Sequence, residues 1–372
     1  MDFEFDDAQR ELQLTAQRML AKAYPAAAAR RVAEGASNGD ELWPSLVALE
    51  WPGLAIAPAD GGVGATMVEL AVVLEQLGRV VDPSPMLATT TQYVPAIQAW
   101  ASPAQRGDLL ASVTQGGTGA VAWSQFERNI ATVEATRVRG GHWLLSGSIR
   151  GVLDGDRAAD IVVPAITEDG VKGFVVDGAQ IGRVRLPTFD PSLHLADITL
   201  EDVVLGDERR LPGADDTALS PLPHALVGLS LSAVGAAQRA FELTVDYAGR
   251  REQFGAPIGS FQAVQHKAVD MYVALERARA LAFFAATALA EDDPRRELAA
   301  SMAKSAAGDA QALVFRHAIQ TFGGIGYTWE NDLHLYLRRA KATHHLFGDT
   351  HEHRRRVGRI VLESRSMIGV AP

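Results

Sequence analysis

The hydrophobic period of this chain changes twice, and that order limits the folds open to it. From Asp7 to Ala23 the apolar residues Leu12, Leu14, Ala16, Met19 and Leu20 recur at mixed helical spacings. Asp40-Glu41-Leu42-Trp43 starts a further short helix with acids at its dipole-favoured end. Gly61-Gly62-Val63-Gly64 then breaks the chain. Thr66 is an N-cap candidate with Glu69 three residues on, a capping box, and the helix from Met67 to Leu77 should end at Gly78. From about 116 the pattern alternates instead. Thr132 to Val138, a Gly140-Gly141 turn and His142 to Gly147 predict a hairpin, and 161–163, 173–176 and 198–200 predict further strands. From about 216 the helical period returns, in Leu222 to Arg250, Phe261 to Ala290, Glu297 to Thr321 and Asn331 to Ala342. Short strands between turn signals predict a small β-barrel or sandwich. The expectation is therefore a mostly α, α+β chain in three parts: an N-terminal helical domain (1–115), a middle β-barrel (116–215) and a C-terminal four-helix bundle (216–372).

Bulk properties exclude several functions. The net charge of -10 gives no basic face for nucleic acid. With no cysteine, disulfides, thiolate nucleophiles and Cys-built zinc sites are out. Residues 1–7 are acidic and lack the pattern of a signal peptide, and the longest apolar run, Leu281 to Ala290, is too short for a bilayer. The reading is a cytoplasmic protein without a membrane span.

Three motifs fail on inspection. Gly61-Gly62-Val63-Gly64 lacks the third glycine of a dinucleotide fingerprint, since position 67 is Met. Neither a phosphate-binding Walker sequence nor a G-x-S-x-G elbow occurs. His344, His345, His351 and His353 lie close together, but Arg354, Arg355 and Arg356 put repulsive charge beside any cation, so no metal is expected.

One segment is distinctive. Arg251-Glu252-Gln253-Phe254-Gly255-Ala256-Pro257-Ile258-Gly259-Ser260-Phe261-Gln262-Ala263-Val264-Gln265 resembles the R-x-x-F-G-x-P-I-x-x-F-Q-x-x-Q signature of acyl-CoA dehydrogenases. Gln320-Thr321-Phe322-Gly323-Gly324-Ile325-Gly326-Tyr327 is similar to their Q-x-x-G-G-x-G-Y/F, and Gly53-Leu54-Ala55 with Asp60-Gly61-Gly62-Val63-Gly64 to an N-terminal turn, in the same order. The resemblance implies FAD-dependent α,β-dehydrogenation of an acyl-CoA thioester. It implies that Arg251, Gln253, Phe254, Ile258, Phe261, Gln262, Gln320, Phe322, Gly323 and Gly324 reach across a dimer interface to the FAD of a neighbouring subunit. Thr350 would match the family's adenine-side threonine. A guanidinium grips pyrophosphate oxygens through two N–H groups, and paired glycines admit close backbone approach.

The remaining family features are missing. The T-E-P-x-x-G-S-D segment is replaced by Trp123-Ser124-Gln125-Phe126-Glu127-Arg128-Asn129. In the N-G-x-K-x-W-I-T strand, Gly151 stands at the tryptophan and Leu153 at the threonine. The base of Y-E-G-T falls on Gly348, and the alternative site, His224 to Gly228, carries no acid. Asp349 is the one nearby candidate base, turned by about 100° if helical. Glu352 replaces the usual glutamine. The losses are one-sided, so the chain reads as the non-catalytic subunit of an α2β2 acyl-CoA dehydrogenase, resembling the glutamate-lacking subunits of actinobacterial steroid side-chain catabolism. Its expected partners are a homologous complete subunit, an acyl-CoA substrate from steroid or fatty-acid β-oxidation, and electron-transfer flavoprotein as acceptor. The rival readings are a self-sufficient homotetramer or homodimer using Asp349, a flavin-free interaction subunit, and a related flavin oxidase or monooxygenase.

Overall fold

A computed structural model describes residues 5–124, 132–214 and 221–368, with side chains to Glu363. Seven helices come first: α1 (Asp7–Ala23), α2 (Ala26–Ala33), α3 (Trp43–Ala48), α4 (Met67–Arg79), α5 (Met86–Ala88), α6 (Val94–Trp100) and α7 (Pro103–Thr114). Eight strands follow: β1 (Gly119–Val121), β2 (Val133–Arg137), β3 (Trp143–Leu153), β4 (Asp160–Thr167), β5 (Gly170–Asp177), β6 (Gly182–Arg185), β7 (Leu195–Leu205) and β8 (Arg210–Leu211). Then come α8 (Leu222–Arg250), a hairpin of β9 (Glu252–Gln253) and β10 (Ala256–Pro257), α9 (Gln262–Ala290), α10 (Arg296–Phe322), α11 (Leu333–His344) and α12 (Thr350–Ile368). The helix–sheet–helix order matches the change of period. The sequence reading did not foresee β1, β6, β8 or α12, whose short or charge-rich segments carry little apolar signal.

The chain forms two compact units. Residues 37–70 and 83–225 make the sheet unit. Its strands run in the order β6-β7-β3-β2-β4-β5-β8, with β1 added parallel to β4. The expected barrel is this sheet, and among the described residues no pairing joins β6 to β8. One side-chain layer from β1 to β5 and β7, including Val133, Trp143, Ile161, Phe174 and Ile198, builds a single core. The hairpin of β2 and β3 turns on Gly140 and Gly141, at φ 84° and 80°, the left-handed pair that such a turn needs. Arg157, largely buried, ties this unit together by donating to Asp154 at 2.8 Å and pairing with Asp40 at 3.2 Å.

The second unit comprises residues 1–36, 71–82 and 226–372. Asp6 and Gln9 form a capping box on α1. At α4 the hydroxyl of Thr66 accepts from Val68 N at 3.1 Å, while Glu69 accepts from Thr66 N at 2.8 Å. Helix α4 does not stop at Gly78 but runs to Arg79. That glycine serves packing: a Cβ there would lie 2.3 Å from Ser232 O, and one on Gly235 would lie 2.0 Å from Glu75 O. Two glycines thus let the backbones of α4 and α8 approach closely. Polar groups lock the crossing. Arg79 grips Glu242 with two bonds of 2.8 and 2.9 Å, and Arg279 of α9 reaches buried Glu75 at 2.9 Å and Gln238 at 2.9 Å. The guanidinium of Arg79 helps hold the Glu242 carboxyl below its usual pKa against the cost of burial.

Gly235→Ala places a methyl against the Glu75 carbonyl and is expected to cost about 1–3 kcal/mol. Gly249→Ala, on the same helix with open space around its Cβ, is expected to be neutral or stabilising by up to about 1 kcal/mol. Denaturant midpoints of the two variants check the pair, and similar midpoints would contradict the close-crossing account.

Candidate functional site

The segment after α8 is built for display. Arg251 N donates to Tyr247 O at 2.8 Å, and Ile258 N returns to Arg251 O at 2.8 Å. Between them, β9 and β10 pair Gln253 with Ala256, leaving Phe254 and Gly255 at the tip with φ 52° and 79°. Both central residues are left-handed, the primed turn that matches strand twist. A bulky side chain at positive φ is strained. Phe254 is nonetheless there, 96% exposed, edge-on to Phe261 with ring centroids 6.2 Å apart. Arg251, Gln253 and Gln262 are exposed as well, and Ile258 is half-buried. Among the described residues Arg251 has no ion-pair partner.

The second motif lies beside the first. Phe322, the last residue of α10, stacks on Tyr247 with ring centroids 4.3 Å apart. Tyr247 therefore joins the root of the Arg251 hairpin to Gly323-Gly324. Gly323 sits at φ 66° and ψ -144°, a conformation open to glycine, and both glycines have open space where a side chain would be. An unpaired guanidinium, exposed glycine backbone and an unsupported aromatic ring suit part of a ligand carrying a pyrophosphate and a flat ring. Sequence reasoning missed Tyr247. The available signal was its place one helical turn before Arg251.

Gln320 lies on α10, two residues before Phe322. It lines a cavity of about 540 Å³ with Gln311, Phe315, Arg316, Lys341 and His344. The Nε2 of Gln311, itself buried, has no hydrogen-bond partner. Thr350 does not reach this surface. It is buried on Gly308, where a Cβ would lie 2.2 Å from its Oγ1.

The loop at Gly348 has a left-handed backbone. Phe347 and Gly348 are consecutive left-handed residues at φ 56° and 99°. A Cβ on Gly348 would lie 3.1 Å from Glu352 Oε2 and 3.2 Å from His353 Nε2. Asp349 caps α12: its Oδ1 accepts from Glu352 N at 2.9 Å, and Glu352 Oε2 accepts from Asp349 N at 3.2 Å. The bond from Glu352 N holds the Asp349 carboxyl below its ordinary pKa, which weakens it as a proton acceptor. Glu352, in place of the family glutamine, completes that capping box.

Under this loop lies Lys304, 5% exposed, with Nζ donating to Thr343 O at 3.3 Å and His344 O at 3.0 Å. It caps the carbonyl end of α11. Burial pulls its pKa down to about 8. His353 is buried, and its Nε2–H donates to Phe347 O at 2.9 Å. Burial lowers its pKa to about 4, so it is neutral at pH 7. Among the described residues no three metal-binding side chains gather. The histidine-rich segment instead holds the loop that carries Gly348.

In the sheet unit, two positions at which the resemblance implies flavin contacts lie on β3. Gly151 lies in a bulge of β3 against β7 at φ 67°, and its N–H donates to Asp197 Oδ1 at 2.9 Å. Leu153 is buried, 2% exposed. Trp123 is buried too, while Gln125 to Asn129 lie outside the described residues. Where the resemblance implies an indole and a hydroxyl, this chain has a left-handed glycine and a buried leucine.

Comparison with known proteins places the geometry in a family. Residues 6–117 match the acyl-CoA dehydrogenase N-terminal domain and residues 216–362 the C-terminal domain. The chain belongs to the acyl-CoA dehydrogenase family. It is 32% identical to acyl-CoA dehydrogenase IpdE2 of Mycobacterium tuberculosis, covering 92% of this chain and 93% of that one. The Tcur3481-Tcur3483 steroid ACAD is 30% identical with a TM-score of 0.86, covering 97% of this chain and 99% of its own. The ChsE4-ChsE5 complex of Mycobacterium tuberculosis is 26% identical with a TM-score of 0.89, covering 98% and 99%. The fold is thus that of acyl-CoA dehydrogenases, FAD-using oxidoreductases, with a helical N-terminal part, a central sheet and a helical C-terminal part. Among the described residues no helix is long and apolar enough to cross a membrane.

Two consequences are measurable. Gly348→Glu does not simply restore a base, because the left-handed backbone opposes any L side chain. It and Gly348→Ala should each lose about 1–2 kcal/mol in chemical denaturation, and unchanged midpoints would contradict the strain. His353 has a folded pKa below its unfolded 6.5, so its contribution to stability is complete above 6.5 and is lost as pH falls toward 4. Across that window His353→Gln, which keeps an N–H donor, should show a shallower loss, by up to about 1.4 kcal/mol per pH unit.

Proposed function

We propose that this chain is the non-catalytic subunit of a two-component FAD-dependent acyl-CoA dehydrogenase. The observation that carries it is Gly348. At the position of the family's base, the chain has a left-handed backbone and a capping box, and no side chain that could take a proton. The intact, outward hairpin supports the complementary role. Phe254 stands strained and exposed at its tip, and among the described residues Arg251 at its root has no ion-pair partner. Groups arranged in this way suit a cofactor held mainly by a neighbour.

In this reading Arg251 grips the pyrophosphate of the partner's FAD and Gly323-Gly324 let backbone approach it, while Gln253, Phe254, Ile258, Phe261 and Gln262 complete the wall. FAD, when bound, accepts the hydride from the β-carbon of the acyl thioester. The partner's carboxylate takes the α-proton. This chain orients the cofactor and excludes water from it; it moves no proton. We also propose that the chain divides by element type at about 115 and 215. The similarity to acyl-CoA dehydrogenase IpdE2 and to a steroid ACAD supports an acyl-CoA substrate from steroid side-chain or fatty-acid β-oxidation. The ChsE4-ChsE5 complex supports a homologous partner in an α2β2 assembly. Electron-transfer flavoprotein is the proposed acceptor.

The test is expression of the chain alone and together with a homologous subunit carrying an intact Y-E-G-T. Alone, the chain should retain little flavin and turn over no acyl-CoA. The co-purified pair should carry FAD and dehydrogenate its substrate, and Arg251→Lys should lower its flavin content, because lysine offers no bidentate grip. Asp349→Asn in the pair should leave the rate unchanged. Full flavin loading and turnover by the isolated chain would overturn the proposal.

A further inference from the structure

A second cavity in the helical unit has a donor-rich lining of its own. It holds about 430 Å³ and is lined by Leu20, Tyr24, Gln76, Arg79, Arg239 and Tyr336, with Ala21 and Val80 among the apolar residues beside them. Gln76 is 2% exposed. Its Oε1 accepts from Gln17 Nε2 at 3.1 Å, while its own Nε2 has no partner among the described residues. Gln76 lines the cavity, so this open N–H offers a donor to whatever occupies it.

The charges point to the kind of acceptor. Arg79 and Arg239 share one carboxylate, Glu242, through bonds of 2.8 and 2.9 Å from the first and 3.2 Å from the second. Asp332, also in the lining, is neutralised by Arg30 at 2.6 Å. Two guanidiniums against one remaining carboxylate leave an excess of one positive charge. Burial raises the Tyr336 phenol, which keeps it protonated and able to donate. Donors therefore outnumber acceptors around a cavity whose remaining wall is apolar. We propose that this cavity binds a small monocarboxylate with a compact apolar body, its carboxylate between Gln76 Nε2 and Arg239 and its apolar part on Leu20, Ala21 and Val80. The volume lies in the range of small-molecule sites. A cation would meet uncompensated arginine, and a neutral alcohol would leave the excess charge unanswered.

The experiment uses the full chain, alone or in its complex, with cyclohexanecarboxylate as probe. Cyclohexylmethylamine and cyclohexylmethanol share its body with the opposite charge or none. Calorimetry should show saturable binding of the carboxylate alone, with a rise in melting temperature. Arg239→Met and Ala21→Trp, which removes the spare charge or fills the exposed wall, should each weaken binding at least tenfold. Absence of saturable binding, equal binding of the alcohol, or affinity unchanged in both variants would overturn the proposal. Flavin content measured in parallel should not change in either variant, so the outcome is separate from that of the shared-cofactor reading.

Discussion

The close crossing of α4 and α8 is the constraint on which the helical unit depends. Gly78 and Gly235 remove the side chains that would hold the two backbones apart. Such proximity buries carbonyls and charges together, so it is stable only if those groups are paired. Arg79 with Glu242, and Arg279 with Glu75 and Gln238, meet that demand. Because α8 is fixed here, its far end is fixed as well, and that end carries Tyr247 and the hairpin root. The same pairing creates the charge imbalance beside Gln76, since one carboxylate serves two arginines. Display hairpin and second cavity are thus consequences of one packing decision.

Much of this was legible in the residues, for identifiable reasons. Helices α1 and α8 have the predicted ends because strong apolar periods and Pro, Gly or acid signals bound them. The hairpin of β2 and β3 followed from alternation and a Gly-Gly turn. Gly78 misled, since a glycine required for interhelical approach looks the same in sequence as one that ends a helix. Helix α12 escaped because its charged run hides a narrow apolar face. At the site, the Arg251 and Gly323 motifs could be read directly, but not the ring stack that joins them, because Tyr247 and Phe322 are 75 residues apart in the numbering. Asp349 could be noticed as an acid; its use as a helix cap is a matter of backbone geometry.

Gly348 and Gly151 both sit at positive φ, at 99° and 67°. An L side chain is strained in that backbone. The N–H of Gly151 is bound by Asp197, and a Cβ on Gly348 would press on Glu352 and His353. Lys304 below and His353 beside it hold the loop in that form through three backbone carbonyls. The loop therefore has a stable structure of its own that a catalytic glutamate would disrupt.

Strain at Phe254 has the opposite meaning. Its left-handed backbone and bare ring cost free energy that nothing within the described chain returns. The glycine positions use positive φ where it is cheap, and stabilise a loop that has no base. The phenylalanine uses it where it is expensive, and gains only an edge contact with Phe261. A residue held so is best explained by an interaction outside the chain, and a flat aromatic ring next to an unpaired guanidinium restricts that interaction to an aromatic anion or a protein surface bearing one. The two kinds of positive-φ backbone thus differ in cost: one falls on glycines inside the chain, the other on an exposed phenylalanine.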